Sequence, residues 1–123
     1  MIAARSMEMA LRRRFAALAR DPKARRVGGI ERPTRWYPER VPDPTSGLGM
    51  TGPAAWSFLA ERLEDPDQEM ESITLDKPPG AVGYVMKVRL DHGSKRLYVK
   101  FEFLAIAGSS VICGRSFHLE DPR

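Results

Sequence analysis

Two stretches near the C-terminal end of the chain place side chains suited to proton transfer and phosphate binding at every second residue. They read LYVKFEF over residues 97–103 and VICGRSFH over residues 111–118. This alternation of polar and apolar residues predicts β-strands, in which successive side chains point to opposite faces of a sheet. Tyr98 and Lys100 then share one face, and His118 joins them if the aromatic residue before it points into the core.

The strand predicted just before these two extends the same polar face. By alternation, the residues on it are Lys87, Arg89, Tyr98, Lys100, Glu102, Ser116 and His118. Arg115 has the wrong parity for this face unless Gly114 is a bulge, which adds one residue to a strand and shifts the alternation. The sequence thus predicts a basic sheet face that also carries a tyrosine and a histidine.

Metal-free cleavage of RNA needs few groups, and this face contains them. The ribose 2′-hydroxyl must lose a proton, the charge on the phosphorane must be stabilised, and the leaving 5′-oxygen must gain a proton. An imidazole such as that of His118 performs either proton transfer near neutral pH, and Tyr98 can orient the hydroxyl or stack on a base. The lysines and arginines of the face would stabilise the phosphate charge.

Other interpretations of these residues stay open at this point. The outer side of a half-exposed antiparallel sheet is normally polar, so Lys100 and Glu102 are also typical of a solvated surface with cross-strand pairing. A single histidine near a chain end, such as His118, is often structural. Cys113 lies in an apolar strand and indicates a small buried side chain rather than a nucleophile, while His92 lies in a turn sequence that predicts exposure.

A helix and an antiparallel meander must position this face. Strands are predicted over residues 72–75, 82–90, 96–104 and 111–118, and a helix over residues 53–63 precedes them. We therefore predict an α+β fold in which N-terminal helices pack on one face of a three- to four-stranded antiparallel sheet. On the covered face we expect Tyr84, Met86, Val88, Leu90, Leu97, Val99, Phe101 and Phe103.

The chain divides into three regions within what we predict to be a single domain. Residues 1–27 predict a basic amphipathic helix or arm. Residues 28–52 are rich in proline and glycine and predict a connector without regular structure. Residues 53–123 contain the helix and the sheet core.

The first region has several possible roles. Its apolar stripe consists of Met7, Leu11, Phe15 and Leu18. This stripe would pack on the body of the protein or form a homodimer through residues 1–20, and an RNA-binding arm or an organellar transit peptide are the alternatives. In the connector, Trp36 and Tyr37 are expected to anchor it to the core rather than to stack on bases.

Composition excludes several classes of protein. One cysteine rules out an internal disulfide, and one cysteine with two histidines is too few for a Cys/His zinc site, so we expect no metal and no other cofactor. No apolar run approaches the roughly 20 residues of a membrane-spanning helix, and we expect a cytoplasmic protein without a membrane partner. Of the net charge of +4, residues 1–32 contribute nine basic against three acidic residues, and residues 73–119 seven against three. Such basic blocks suit a phosphate-bearing partner such as RNA.

The hairpin predicted from residues 97–103 and 111–118 resembles the C-terminal hairpin of the MqsR (motility quorum-sensing regulator) family. Members of that family are toxins of bacterial toxin–antitoxin pairs, with a RelE-like ribonuclease fold, and they cleave mRNA without a metal. The resemblance therefore implies a RelE/MqsR-like fold, an mRNA interferase activity and a cognate antitoxin protein as partner. It covers roughly 20 residues closely, and the order of helix and strands fits from about residue 53.

The resemblance also assigns roles to particular residues. The family's catalytic tyrosine falls on Tyr98, and its catalytic basic residue after Ser-Phe falls on His118, where the family usually has lysine. Its upstream catalytic lysine corresponds to Lys77 only through a gap. The family's glutamine has no counterpart, so Lys87 would have to substitute for it. With Tyr98, His118 and Lys77 as catalytic residues, the expected substrate-binding residues are Lys87, Arg89, Lys100, Arg115 and Ser116.

Three functions follow as hypotheses. The first is a metal-independent endoribonuclease toxin that cleaves single-stranded RNA by attack of the 2′-hydroxyl. The second is a non-enzymatic protein- or RNA-binding module, such as a phage- or island-encoded inhibitor, that uses the same basic face. In the third, the face is inert and the N-terminal helix forms a dimer seam.

Overall fold

The fold is α+β, with two helices and a six-stranded sheet in the described part of the chain. The computed structural model describes residues 2–90 and 96–120, with side chains from residue 8 onward. The helices are α1 (Ile2–Ala19) and α2 (Gly52–Glu64), and a short 3-10 helix spans Pro38–Arg40. The strands are β1 (Arg25–Val27), β2 (Arg35–Trp36), β3 (Glu71–Thr74), β4 (Val82–Arg89), β5 (Arg96–Ile106) and β6 (Ser109–Glu120). The turn sequence that contains His92 lies outside the described residues.

The sheet combines an antiparallel meander with two short parallel strands. Its order is β1-β6-β5-β4-β3, and β2 also pairs with β6. Strands β3 to β6 are antiparallel neighbours, which confirms the predicted meander. The predicted limit of four strands is wrong for the described residues, because β1 and β2 add parallel pairing along β6. Strands of two and three residues are too short to show the alternation by which a sequence reveals a strand.

Both helices pack on one face of the sheet. Helix α2 begins at its N-cap Thr51, whose hydroxyl accepts from the amide of Ala54 (3.1 Å). Its apolar stripe is buried, as predicted, and contacts the covered face of β4, β5 and β6. The core cluster includes Trp56, Leu59, Ala60, Leu63, Met86, Val88, Leu97, Val99, Phe101 and Phe117.

Helix α1 packs on the body of the protein. Phe15 is fully buried, and its ring lies 4.9 Å from that of Tyr84 and 5.4 Å from that of Phe101, measured between centroids. Leu11 and Leu18 are partly buried against the same core. Leu11, Phe15 and Leu18 of the predicted apolar stripe therefore cover the sheet together with α2, and the side chain of Met7 lies outside the described part of the structure.

The α1–α2 junction contains a fully buried arginine, Arg12. Its Nε donates to the carbonyl of Leu63 (2.8 Å), and its Nη2 donates to the carbonyls of Arg62 (3.1 Å) and Asp65 (2.9 Å). The carbonyls of Arg62 and Asp65 also accept from the backbone amides of Asp65 and Gln68, whereas that of Leu63 depends on Arg12. The guanidinium thus supplies donors at the last turn of α2 and complements the negative end of the helix dipole. The sequence pattern had placed Arg12 among the polar residues between the apolar positions of α1.

The connector is ordered where it touches the sheet. Trp36 on β2 lies 5.0 Å from the ring of Trp56 and 5.3 Å from that of Phe117. A Cβ at Gly114 would come within 2.5 to 2.8 Å of the Trp36 ring, so glycine there makes room for the indole. Trp36 thus anchors the connector to the core.

Candidate functional site

The sheet face opposite the helices carries the polar side chains predicted to do chemistry, and we call it the outer face. It comprises the outward positions of β4, β5 and β6 and the facing residues of β2. Lys87 and Arg89 are exposed there, whereas Tyr98, Lys100 and His118 are half-buried. Alternation along β4 and β5 is regular, so the core face and the outer face are fully separated in these strands.

Tyr98 and His118 lie side by side on the outer face. They are direct partners across β5 and β6, and their ring centroids are 5.5 Å apart with 31° between the ring planes. On the other side, Tyr98 pairs in register with Lys87 of β4. One row across three strands therefore holds an ammonium group, a phenol and an imidazole.

The imidazole of His118 has a defined hydrogen bond. Its Nδ1 lies 3.1 Å from the carbonyl oxygen of Leu119. A carbonyl oxygen only accepts, so this contact places the hydrogen on Nδ1 and leaves Nε2 of the neutral ring as an acceptor. Nε2 can then take a proton from a bound hydroxyl.

The phenol of Tyr98 is held in its protonated form. Burial raises its pKa above the ordinary value of 10, and the charges of Glu120 and Glu71 raise it further. At neutral pH the Tyr98 hydroxyl is therefore a hydrogen-bond donor.

The next row of the outer face is cationic and borders a pocket. Lys100 pairs in register with Ser116 on β6, and Ser116 pairs with Arg35 on β2. The adjoining pocket has a volume of about 380 Å³. It is lined by Pro33, Thr34, Arg35, Leu75, Asp76, Lys77, Lys100 and Arg115.

A bulge in β6 brings Arg115 to this pocket. Lys100 pairs with Ser116, whereas the next residue of β5, Phe101, pairs with Gly114, so Arg115 is the extra residue. The sequence analysis expected Arg115 on the polar face only if β6 has a bulge next to it, and the strand has one at this point. Without it, Arg115 and Ser116 could not both lie on the pocket side of the sheet.

The guanidinium of Arg115 clamps three segments together and is only 3% exposed. Its Nε donates to the carbonyl of Pro33 (3.0 Å) and its Nη2 to that of Lys77 (2.7 Å). Its Nη1 donates to Oε1 of Glu102, which also accepts from Nε of Arg32 (3.1 Å). Glu102 is itself buried, and its second oxygen has no hydrogen-bond partner among the described residues.

Lys100 lies in an environment that disfavours its charge. Burial lowers its pKa, and the positive charges of Arg115 and Arg35 lower it further, against the opposing effects of Asp76 and Glu102. Within the described ranges, no carboxylate forms an ion pair with Lys100. The ammonium thus lies beside other cations and is in ion-pair contact with neither of the two nearby carboxylates.

The structure brings most of the predicted site residues together. Tyr98, His118 and Lys87 form one row, and Lys100, Ser116, Arg115 and Lys77 lie in the next row or at its pocket. Arg89 lies one row further in the other direction, opposite Arg96, which pairs with Glu120 (3.5 Å). Ser116 is buried and Lys77 is exposed.

Two arginines of this region were missed by the sequence analysis. Arg35 reaches the pocket and Arg32 reaches Glu102 because the connector runs along β6. The sequence offers only a weak sign of this strand, namely the pair Arg35-Trp36 shortly after Pro33.

The single cysteine of the sequence, Cys113, is buried, as the sequence analysis predicted. Burial raises the pKa of its thiol. Its Sγ donates to the carbonyl of Gly28 at 3.5 Å. A thiol in this environment is a poor nucleophile.

Comparison with known proteins adds no further assignment. Between residues 2–90 and 96–120, no three His, Cys, Asp or Glu side chains converge as a metal-ligand set. Neither described helix is both long and apolar enough to cross a membrane. No protein-family model, no curated protein and no solved structure matches the chain.

Proposed function

We propose that the protein is a metal-independent endoribonuclease that cleaves single-stranded RNA at the outer face. The observation that carries this proposal is the pair of Tyr98 and His118, in contact across two strands and flanked by Lys87 in the same row. Proton-transfer groups and phosphate-binding cations within one or two strand positions of each other are what the reaction requires.

The reaction assigns one role to each of these groups. Nε2 of His118 removes the proton of the ribose 2′-hydroxyl, whose oxygen forms a bond to the adjacent phosphorus. The bond from phosphorus to the 5′-oxygen then breaks, and that oxygen receives a proton from the Tyr98 hydroxyl, which is protonated again from solvent. Lys87 and Lys100 stabilise the extra negative charge of the phosphorane. The products are a 2′,3′-cyclic phosphate and a 5′-hydroxyl.

The biological setting is part of the same proposal. The resemblance of the β5–β6 hairpin to the MqsR family supports a RelE/MqsR-like fold, the role of an mRNA interferase toxin in the cytoplasm, and neutralisation by a cognate antitoxin. In this setting Lys77 supplies an additional cation at the pocket. Arg115, engaged by Glu102 and two carbonyls, acts as a positioning residue for that pocket.

Cleavage of a mixed-sequence single-stranded RNA in excess EDTA tests the proposal. The wild-type protein should give discrete fragments with 2′,3′-cyclic phosphate ends. Tyr98→Phe and His118→Ala should each reduce the rate by about 10²- to 10⁴-fold, the usual contribution of a positioned proton-transfer group. Arg13→Ala on α1, across the sheet from the outer face, should cleave like the wild type. Thermal unfolding checks that each variant is folded.

A binding module is the second candidate, and the uncompensated cations around Lys100 favour it equally well. If RNA stays intact with and without ribosomes, the endoribonuclease proposal is wrong. Retained binding of that RNA, lost when the charges of Lys87, Arg89 and Lys100 are reversed together, would then identify a binding module.

A further inference from the structure

We infer that the pocket between Arg35, Lys77 and Lys100 is a phosphate subsite, which holds the backbone phosphate of the nucleotide next to the one at Tyr98 and His118. The inference rests on the proposed function for the position of the cleaved bond. Binding of a phosphate group in the pocket does not depend on cleavage.

The residues that line the pocket carry a net positive charge, which favours an anionic ligand. Four cations line the pocket, with Asp76 as the single acidic residue. The side chains of Arg35, Lys77 and Lys100 have no hydrogen bond or ion pair within the parts of the chain that the structure describes. Arg115 in the floor is already neutralised by Glu102, so three cations face one carboxylate. A phosphate would balance this excess.

The walls of the pocket are held in place before any ligand arrives. Arg115 ties the connector at Pro33 and the β3–β4 turn at Lys77 to the same guanidinium. Glu102 fixes that guanidinium from below. Because these contacts fix the backbone of both walls, binding needs little reorganisation, and little free energy is lost in ordering the site.

The distance between the two rows suits a nucleic-acid backbone. Tyr98 and Lys100 are two residues apart on β5, as His118 and Ser116 are on β6. Two residues of a β-strand span about 6.7 Å. This is comparable to the spacing of successive phosphates in an extended strand. One phosphate beside His118 therefore places its neighbour at Lys100 and Arg35.

A single-stranded deoxyoligonucleotide tests the subsite separately from cleavage, because it has phosphates but no 2′-hydroxyl. Its affinity is measured by fluorescence anisotropy at several salt concentrations. The double variant Arg35→Gln/Lys77→Gln should bind about tenfold more weakly. Its slope of log affinity against log salt should fall by about 0.7, the value for one phosphate of a single strand.

Matched controls remove the same charges elsewhere. Arg13→Gln on α1 and Lys23→Gln after it change the net charge as much as the pocket substitutions and should stay within twofold of the wild type. Arg35, Lys77, Arg13 and Lys23 are all exposed, so none of these substitutions disturbs the core. The half-buried Lys100→Gln serves as a third pocket variant.

The outcomes separate this inference from the proposed function. Pocket-dependent binding of the deoxyoligonucleotide without cleavage of RNA keeps the subsite and rejects the endoribonuclease. Wild-type binding by the pocket variants, with cleavage still lost in His118→Ala, rejects the subsite alone. Inorganic phosphate is the second probe, followed by amide chemical shifts. If the pocket variants lose binding of inorganic phosphate but bind the deoxyoligonucleotide like the wild type, the pocket takes free phosphate and the inference is overturned.

Discussion

The α1–α2 junction and the outer face each bury an arginine, but the two arginines have different neighbours. Arg12 at the junction donates to three carbonyls at the end of α2 and also contacts the carboxylate of Glu8 on its own helix, at 3.4 Å. Arg115 on the outer face donates to two loop carbonyls and the carboxylate of Glu102. Beside Arg12 the partial charges of a helix end match the guanidinium, whereas beside Arg115 further cations remain uncompensated.

This difference shows that burial alone does not distinguish an arginine that caps a helix from one that holds the walls of a cationic pocket. Arg12 supplies hydrogen-bond donors to the last turn of α2, and its charge is balanced by the helix end and by Glu8. Arg115 and Glu102 form an ion pair, and they support pocket walls that carry unpaired cations. The first arrangement serves stability, whereas the second places cations side by side at some cost in stability.

Replacing Arg12 should have the largest effect on stability. Arg12→Met leaves the carbonyl of Leu63 without a donor and removes the charged donor from the carbonyls of Arg62 and Asp65, so the free energy of unfolding should fall by about 3 kcal/mol. Urea denaturation followed by circular dichroism measures it. The neighbouring exposed Arg13→Met is the matched control and should change stability by less than about 0.5 kcal/mol. A similar loss in both variants would contradict the capping role.

Removing the carboxylate on the outer face should have the next largest effect. Glu102→Gln keeps one acceptor but leaves Arg115 and Arg32 without a countercharge, so we expect a loss of about 2 to 3 kcal/mol in the same denaturation experiment. Glu120→Gln, on the same face at a half-exposed ion pair, should cost less than about 1 kcal/mol. Equal stability of the two variants would mean that the Glu102 cluster contributes no more than a surface pair.

Replacing Lys100 should raise stability. Because burial lowers the pKa of Lys100 below the unfolded value of about 10.4, its stabilising contribution is present above that pH and is lost as the pH falls through the folded value. At pH 7 the charged side chain therefore costs stability. Lys100→Met should unfold at higher urea, by less than about 1 kcal/mol because solvent screens a half-buried group. The gain in stability of Lys100→Met over the wild type should shrink toward pH 10. A variant less stable than the wild type at pH 7 would contradict this prediction.

The smallest effect is expected at an exposed ion pair of the junction. Arg20 donates to both oxygens of Glu64 at 2.6 and 2.7 Å, and this contact lowers the pKa of Glu64. Its contribution is present above the unfolded pKa of about 4.3 and is lost as the pH falls through the folded value. Glu64→Gln should cost about 0.5 kcal/mol at pH 7 and nothing measurable well below pH 4. Thermal unfolding at both pH values checks this, and a pH-independent loss would contradict it.

The sequence predicted the meander and α2 because both have regular patterns. Alternation is unbroken over Met86–Arg89 and over Leu97–Phe103, so the covered and outer faces could be separated there. Thr51 and Pro53 marked the start of α2. Strands β1 and β2 could not be predicted, since they are too short for a pattern and pair with a strand about 80 residues away in sequence.

The sequence predicted which side of the sheet the candidate site lies on, but not which of its residues face each other across the strands. The pattern put Tyr98 and His118 on one side of the sheet, whereas their direct pairing depends on the β5–β6 turn and the bulge. That turn takes positive φ at Ala107 and Gly108, as a tight hairpin requires. The pocket could not be predicted, because Arg35 and the contacts of Arg115 come from long-range packing of the connector.

Because Arg115 is the extra residue of the bulge in β6, it could be removed without a change in how the rest of β6 pairs with β5. Gly114 lies against Trp36 on the core side, and Ser116 pairs with Lys100 on the outer side. A chain that lacked Arg115 would therefore still alternate correctly across the join, with every other side chain of β6 on its present face. A single extra residue therefore separates a regular strand from the strand that holds the walls of this pocket.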